Sequence, residues 1–369
     1  MSSPRTTAGP FRIAVNGALL ATLLLAASCT TPDPPLQAPV VSVFEALGAP
    51  HVEPALLPLR WTTSDPQGDA IICRLDGDGD GSWDMIFDPC PPTASRNVES
   101  ISAGGHTARF EVSDGTNTTL ATTAYNVGPS PSTEPMDIEI RWNGPVEGDV
   151  LAAFEVAAAR WEAVIVRGLS DMPVTSPAGS CGAGSAAIDE DVDDLVVNVS
   201  IHPTSPAAAL GGPCVYGPDG LPRLSSVEVD PDLLGGLRDL NVVDEAALHE
   251  LGHALGFGLL WGTRNLLSFP APQDPRFTGP RTAAESSALG RSGDVPVMRI
   301  GDTWQPHWES AFLEEVMART PDGAPLSRIT IASMADLGYS VDLGAADPFT
   351  PTVPAGTCIG FDGTLIRCW

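Results

Sequence analysis

The part of this sequence with the clearest chemical meaning is His249-Glu250-Leu251-Gly252-His253. Residues four apart on a helix lie one turn apart on the same face, so two imidazoles at this spacing can grip one metal ion. Glu250 stands beside the first of them, within reach of a water held by that metal. This is the H-E-x-x-H arrangement, whose physical logic is a zinc ion plus a general base. Zinc lowers the pKa of its bound water toward ~7 and polarises a carbonyl. The glutamate accepts the water's proton and passes it to a leaving amine. A catalytic zinc also needs a third protein ligand and keeps one position for water. Of the 6 histidines, His51 and His106 lie far upstream, His202 precedes the motif, and His307 alone follows it. Elimination points to His307. The carboxylates of Glu309, Glu314 and Glu315 are alternatives, because a carboxylate also completes such a site.

These side chains need a helix to present them. Residues 244–255 carry an apolar pattern of helical period, with Asp244 placed as N-cap and Gly256 as the stop. Alternation over Ile138, Ile140 and Trp142 predicts a strand. Phe154, Ala157, Ala158, Trp161, Val164 and Ile165 recur at helical spacing and predict a helix over 149–166. Residues 195–201 and 225–229 read as buried strands. Mixed strands and helices in this order predict an α+β fold.

Upstream, the pattern changes. Short alternating runs at 57–62, 70–74, 108–112 and 120–127 are separated by turn residues such as Ser113-Asp114-Gly115. They predict a small all-β sandwich. Its Trp-x-x-Ser-Asp-Pro segment from Trp61 and its Val-Ser-Asp-Gly segment from Val112 resemble immunoglobulin-like modules of bacterial surface proteins. Within it, Asp76, Asp78, Asp80 and Asp84 alternate around glycines, a spacing that can wrap a calcium ion. Position twelve of such a loop would be Phe87, which has no carboxylate. An acidic turn and a structural calcium site both fit.

Composition bounds the setting. The 369 residues carry a net charge of −27, and all 19 basic residues are arginine. That field repels nucleic acid and anionic lipid. Arg5 and Arg12 precede an apolar stretch ending in Leu25-Ala26-Ala27-Ser28-Cys29. This reads as an export signal of lipoprotein type, with Cys29 as the lipid-bearing first residue, or as ordinary secretion. No later segment is apolar enough to span a membrane. The other six cysteines neighbour one another as Cys73-Cys90, Cys181-Cys214 and Cys358-Cys368, and this proximity is the basis for expecting three disulfides in an oxidising compartment. In the tail, Asp362-Gly363 is a candidate hairpin turn between the last pair.

Over 136–342 the chain resembles the leishmanolysin family of metzincin zinc proteases, in its bacterial secreted form. Ala158-Ala159-Arg160-Trp161-Glu162 resembles that family's first helix, Asp193-Asp194-Leu195-Val196-Val197 a central strand, and residues 249–257 the zinc helix. Other metzincins carry the third histidine three residues after the motif glycine, here Leu259. Leishmanolysin-like enzymes delay it by an insertion, which here spans 257–306 and places His307 as the delayed ligand. Glu314-Glu315-Val316-Met317 is similar to the family's Met-turn, in which Met317 would floor the metal, and 325–339 to its terminal helix. The tyrosine that some metzincins carry two residues after the methionine is Arg319 here. The resemblance implies a zinc endopeptidase acting on protein or peptide substrates as a monomer.

The expected plan is a signal peptide at 1–28, a proline-rich linker at 29–40, the sandwich at 41–127, a linker at 128–135, a metzincin-type domain at 136–345 and a tail at 346–369. An adhesion protein with an idle protease-like domain is the alternative; so is a zinc hydrolase acting on something other than protein. The intact Glu250 argues against the first.

Overall fold

The computed structural model describes residues 36–204, 207–271, 274–291, 293–300, 303–309, 314–318 and 323–351, and the backbone of two short tail strands. The signal segment, Cys29, Arg319, Cys368 and the Asp362-Gly363 turn lie outside the described residues.

Eight strands form the first part: β1 (Val40–Ala46), β2 (His51–Val52), β3 (Ala55–Ser64), β4 (Ile72–Asp76), β5 (Met85–Phe87), β6 (Thr93–Ile101), β7 (Gly104–Ser113) and β8 (Thr118–Gly128). They make two sheets, ordered β1-β3-β6 and β2-β8-β7-β4-β5. Alternation works as the period of a strand dictates: Ala108, Phe110 and Val112 of β7 point inward while their neighbours do not. Leu57, Leu59 and Trp61 from one sheet meet Leu75 and Phe110 from the other in a shared core. The Cys73–Cys90 disulfide closes beside it. Ser113, Asp114 and Gly115 turn the chain from β7 into β8, with Asp114 accepting from Thr116 N and Asn117 N.

The second part opens with β9 (Ile138–Trp142), α1 (Gly148–Val164), the paired β10 (Met172–Ser176) and β11 (Ile188–Val192), β12 (Leu195–Ile201), β13 (Ala209–Tyr216) and β14 (Pro222–Val229). The main sheet runs β13-β14-β12-β9. β9, β12 and β14 are parallel, and β13 closes one edge antiparallel. The long crossover that parallel strands require is supplied between β9 and β12 by α1 and the β10–β11 hairpin. Cys181–Cys214 ties the segment after β10 to β13.

Then come α2 (Pro231–Asp239), α3 (Val243–Ala254), β15 (Leu267–Ser268), β16 (Arg276–Phe277), α4 (Pro280–Ala288), β17 (Val295–Ile300), β18 (Thr303–Trp308), α5 (Arg328–Leu337) and the tail pair β19 (Thr357–Ile359) and β20 (Leu365–Arg367). The expected insertion thus contributes a four-stranded sheet, β15-β16-β17-β18, with α4 inside its connections. The whole is mixed α+β, mostly sheet with few helices. Among the described residues no helix is long and apolar enough to cross a membrane.

One local expectation is corrected. Asp244 is not the N-cap of α3; Val242 is, with no side-chain cap, and Asp244 and Glu245 sit in the first turn. There they still favour the helix, because negative charge complements the positive end of its dipole.

The β module is joined to α4 through buried polar groups. Arg281 is 8% exposed. Its Nε donates to Leu56 O (2.8 Å) and its Nη2 to His51 Nδ1 (3.2 Å). Asp336 on α5 pairs with it and accepts from Thr282 N and Oγ1. Asn97 of β6 donates to Arg281 O and to Glu285 Oε1, both at 2.8 Å.

Candidate metal centre

α3 carries the motif and is held at both its middle and its end. Trp161 of α1 donates from Nε1 to Leu248 O (2.9 Å). The last carbonyls of a helix have no partner within it and must find one outside. Here Ser225 Oγ of β14 donates to Ala254 O (2.7 Å), and Tyr339 Oη donates to Leu255 O (2.9 Å). Gly256 then takes a φ of +102°, and Phe257 N donates back to Gly252 O (3.0 Å). That pattern ends the helix in a left-handed residue, the role glycine fills without strain. It also turns the Phe257 carbonyl toward His253.

The three histidines meet. His249 Nε2 lies 3.0 Å from His253 Nε2 and 3.0 Å from His307 Nε2, and His253 Nε2 lies 3.1 Å from His307 Nε2. On the far side of each ring on α3 stands a carbonyl: His249 Nδ1 donates to Val316 O (2.7 Å) and His253 Nδ1 to Phe257 O (3.0 Å). A carbonyl only accepts, so Nδ1 carries the hydrogen on both rings and each Nε2 is left with a lone pair. Lone pairs facing each other at this distance repel unless a cation or a proton stands between them. Burial opposes the proton. It lowers the pKa of His249; it lowers that of His253 far below the ordinary value, helped by the other two rings; and it lowers that of His307 to about 3. Neutral imidazole nitrogens converging in this way are the donor set of a borderline metal such as zinc. Carbonyls behind the rings are the outer-shell partners such ligands need. The residues present therefore fit the metal.

His307 is brought in by β18. An aromatic cluster holds that strand against the end of α3: Trp308 stacks on Trp261 (4.9 Å between centroids), and Phe257 and Phe277 meet Trp308 edge-on at 5.0 and 5.5 Å. Pro306 closes on Gly258, where a Cβ would stand 2.3 Å from the proline Cβ.

Glu250 is buried beside the histidines. Desolvation pushes its pKa up to about 7, while the Gly211 N–H, donating to its carboxylate, pulls the other way. Gly211 belongs to β13, the edge strand of the main sheet. Met317 is fully buried below α3, and a Cβ on Gly252 would lie 2.8 Å from its Sδ.

The carboxylates considered as third ligands are placed differently. The metal-capable group on α3 and β18 contains His249, His253 and His307 and none of Glu309, Glu314 or Glu315. Glu315 is fully buried and accepts from Met317 N, Ser327 and Thr330 instead. Desolvation raises its pKa to about 7 against those donors. Gly211 is a neighbour of Glu250 that motif reading missed, and Glu315, read there as an alternative ligand, accepts from its own turn and from α5 instead. No motif or periodic pattern in the sequence singles out Gly211; its place follows from β13 lying against α3.

The aspartate loop lies elsewhere, at the end of β4. Asp76, Asp78 and Asp84 each bring an oxygen within 4.8 Å of the others, and Asp80 stands outside that group. Asp76 accepts from Gly79 N (2.8 Å) and Gly81 N (3.2 Å) and pairs with Arg109. Asp84 accepts from Gly77 N (2.6 Å), and desolvation raises its pKa. Backbone N–H groups and Arg109 thus hold the buried Asp76 carboxylate.

No protein-family model and no curated protein matches the chain. Among solved structures, it is similar to the PKD domain of an M14-like peptidase from a Thermoplasmatales archaeon. The identity is 18% and the TM-score 0.20, over 24% of this chain and 92% of that one.

Proposed function

We propose that this chain is an exported zinc endopeptidase of the leishmanolysin-like, metzincin kind, preceded by an immunoglobulin-like module. His249, His253 and His307 would hold the metal, and Glu250 would be the general base. The observation that carries this reading is the convergence of three Nε2 atoms within 3.0–3.1 Å, two of them on rings fixed by a backbone carbonyl. Bound there, zinc would supply Lewis acidity toward a substrate carbonyl and acidify the water it holds.

The chain's own residues would do the rest. Glu250 takes a proton from water and delivers it to the leaving nitrogen. Gly211 N–H aims that carboxylate. β13 pairs with β14 on one side and, among the described residues, ends the sheet on the other, so an extended peptide adding to that edge would pass Glu250. Two disulfides support an oxidising, exported setting. Cys29 would be the lipid anchor.

The test is zinc content together with casein cleavage, with and without chelator, on mature protein and on His307→Ala. We expect one zinc and chelator-sensitive cleavage in the wild type, and loss of both in the variant. A variant that keeps zinc and activity would overturn the ligand set. A wild type that binds zinc but cleaves neither casein nor gelatin would favour an idle domain.

A further inference from the structure

A buried carboxylate is costly unless its lone pairs are filled, and an apolar side chain of like volume would fill the same space more cheaply. Glu315 is 0% exposed, so its presence there calls for a reason. What a carboxylate adds is the ability to hold donors from several segments at once. Oε2 accepts from Met317 N (2.6 Å). Oε1 accepts from Ser327 N (3.1 Å), Ser327 Oγ (3.0 Å) and Thr330 Oγ1.

Each oxygen leads to a histidine. Between Glu315 and Met317 lies Val316, whose carbonyl accepts from His249 Nδ1 at 2.7 Å. The bond from Met317 N to Glu315 closes a tight turn around that residue and so sets the direction of its carbonyl. On the other side, Thr330 Oγ1 gives its proton to Glu315 and accepts from Trp308 Nε1 at 2.8 Å. Trp308 follows His307 directly, and its N–H donates to Met317 O (3.2 Å). The turn and the strand are thus referred to one carboxylate.

We propose that Glu315 is a positioning residue of the metal centre, fixing His249 through Val316 and His307 through Thr330 and Trp308. This rests on the reading of the three histidines as zinc ligands. Glu315→Gln keeps the volume but replaces one acceptor oxygen with a donor NH2, which must face either Met317 N–H or the Ser327 and Thr330 donors. One arm then fails. Thr330→Val keeps a similar shape and cuts only the arm to Trp308.

The test uses the full chain and three readouts: zinc affinity by chelator competition, the visible spectrum of the cobalt-substituted protein, and thermal unfolding of the metal-free protein. Glu315→Gln is expected to weaken zinc by about ten- to a hundredfold, as loss of an outer-shell partner does, and to alter the cobalt spectrum. Thr330→Val is expected to act in the same direction and less. A folded Glu315→Gln with wild-type affinity and cobalt spectrum overturns the proposal, even if its metal-free stability falls. Should Glu315→Gln not fold, Thr330→Val decides, and wild-type affinity and spectrum there overturn it. A wild type without zinc affinity is a separate result: it removes the zinc reading itself.

Discussion

Gly211 touches Glu250. Its N–H donates to the carboxylate, and a Cβ on it would stand 2.4 Å from Glu250 O and 3.1 Å from Glu250 Oε2. A backbone oxygen on a packed helix cannot move aside as a flexible side chain can. Gly211→Ala must therefore push β13 away from α3 and unseat the hydrogen bond that aims the base. A displacement of about 1 Å costs roughly a hundredfold in rate. Peptidase kinetics with metal analysis should show kcat/KM down by about that factor with zinc content unchanged. Unchanged kinetics would remove Gly211 from the site.

Glu250 and His253 lie on one helix but have different tasks. Glu250→Gln removes the base and leaves the three imidazoles in place. Its zinc content should equal that of the wild type while turnover falls by about 10²–10⁴-fold. His253→Ala removes a ligand and should lose zinc and turnover together. Metal analysis beside a cleavage assay separates the two, and zinc loss in Glu250→Gln would contradict the assignment.

Acid should loosen the join between the β module and α4. Arg281 donates to His51 Nδ1, so the fold holds this ring neutral. Burial, and then Arg281, lower its pKa from 6.5 to about 4. Below about 6.5 the unfolded chain takes up a proton that the folded chain refuses. Stability from this residue is therefore present above pH 6.5 and is lost as pH falls toward 4, to an extent of about 2–3 kcal/mol. Urea unfolding at pH 7 and pH 4.5 should show a smaller loss in His51→Gln than in the wild type. Equal losses would place the acid sensitivity elsewhere.

Gly252→Ala pits helix propensity against packing. Alanine is the better helix former by ~1 kcal/mol. The added Cβ would stand 2.8 Å from Met317 Sδ, 3.0 Å from its Cε and 3.1 Å from Trp161 Cζ2, all in fully buried side chains. Overpacking costs about 1–3 kcal/mol, so packing wins. Denaturant unfolding should show a net loss of stability; a gain would mean that Met317 yields freely.

How much of this was legible depends on the distance along the chain over which each feature is decided. His249 and His253 share a face because any helix puts residues i and i+4 together, and the helical pattern around them is local. Gly256 as the helix stop and the turn at Ser113-Asp114-Gly115 are likewise settled by a few neighbouring residues. Asp244 was misplaced as a cap for the same reason in reverse: cap chemistry signals a boundary only to within a residue or two.

His307 stood out by elimination from composition, yet its place 54 residues from His253 depends on a sheet and an aromatic cluster that no short pattern announces. Glu315 looked like a spare ligand, and only packing shows that its oxygens are filled by donors from its own turn and from α5. Gly211 carries no signal in any motif or pattern, and gains its place only because β13 lies against α3. The sequence by itself determined the helix, its two imidazoles, the candidate base and the donor types. The tertiary structure decided which distant groups face them, because hydrogen bonding and close packing act between surfaces that meet only once the chain has folded.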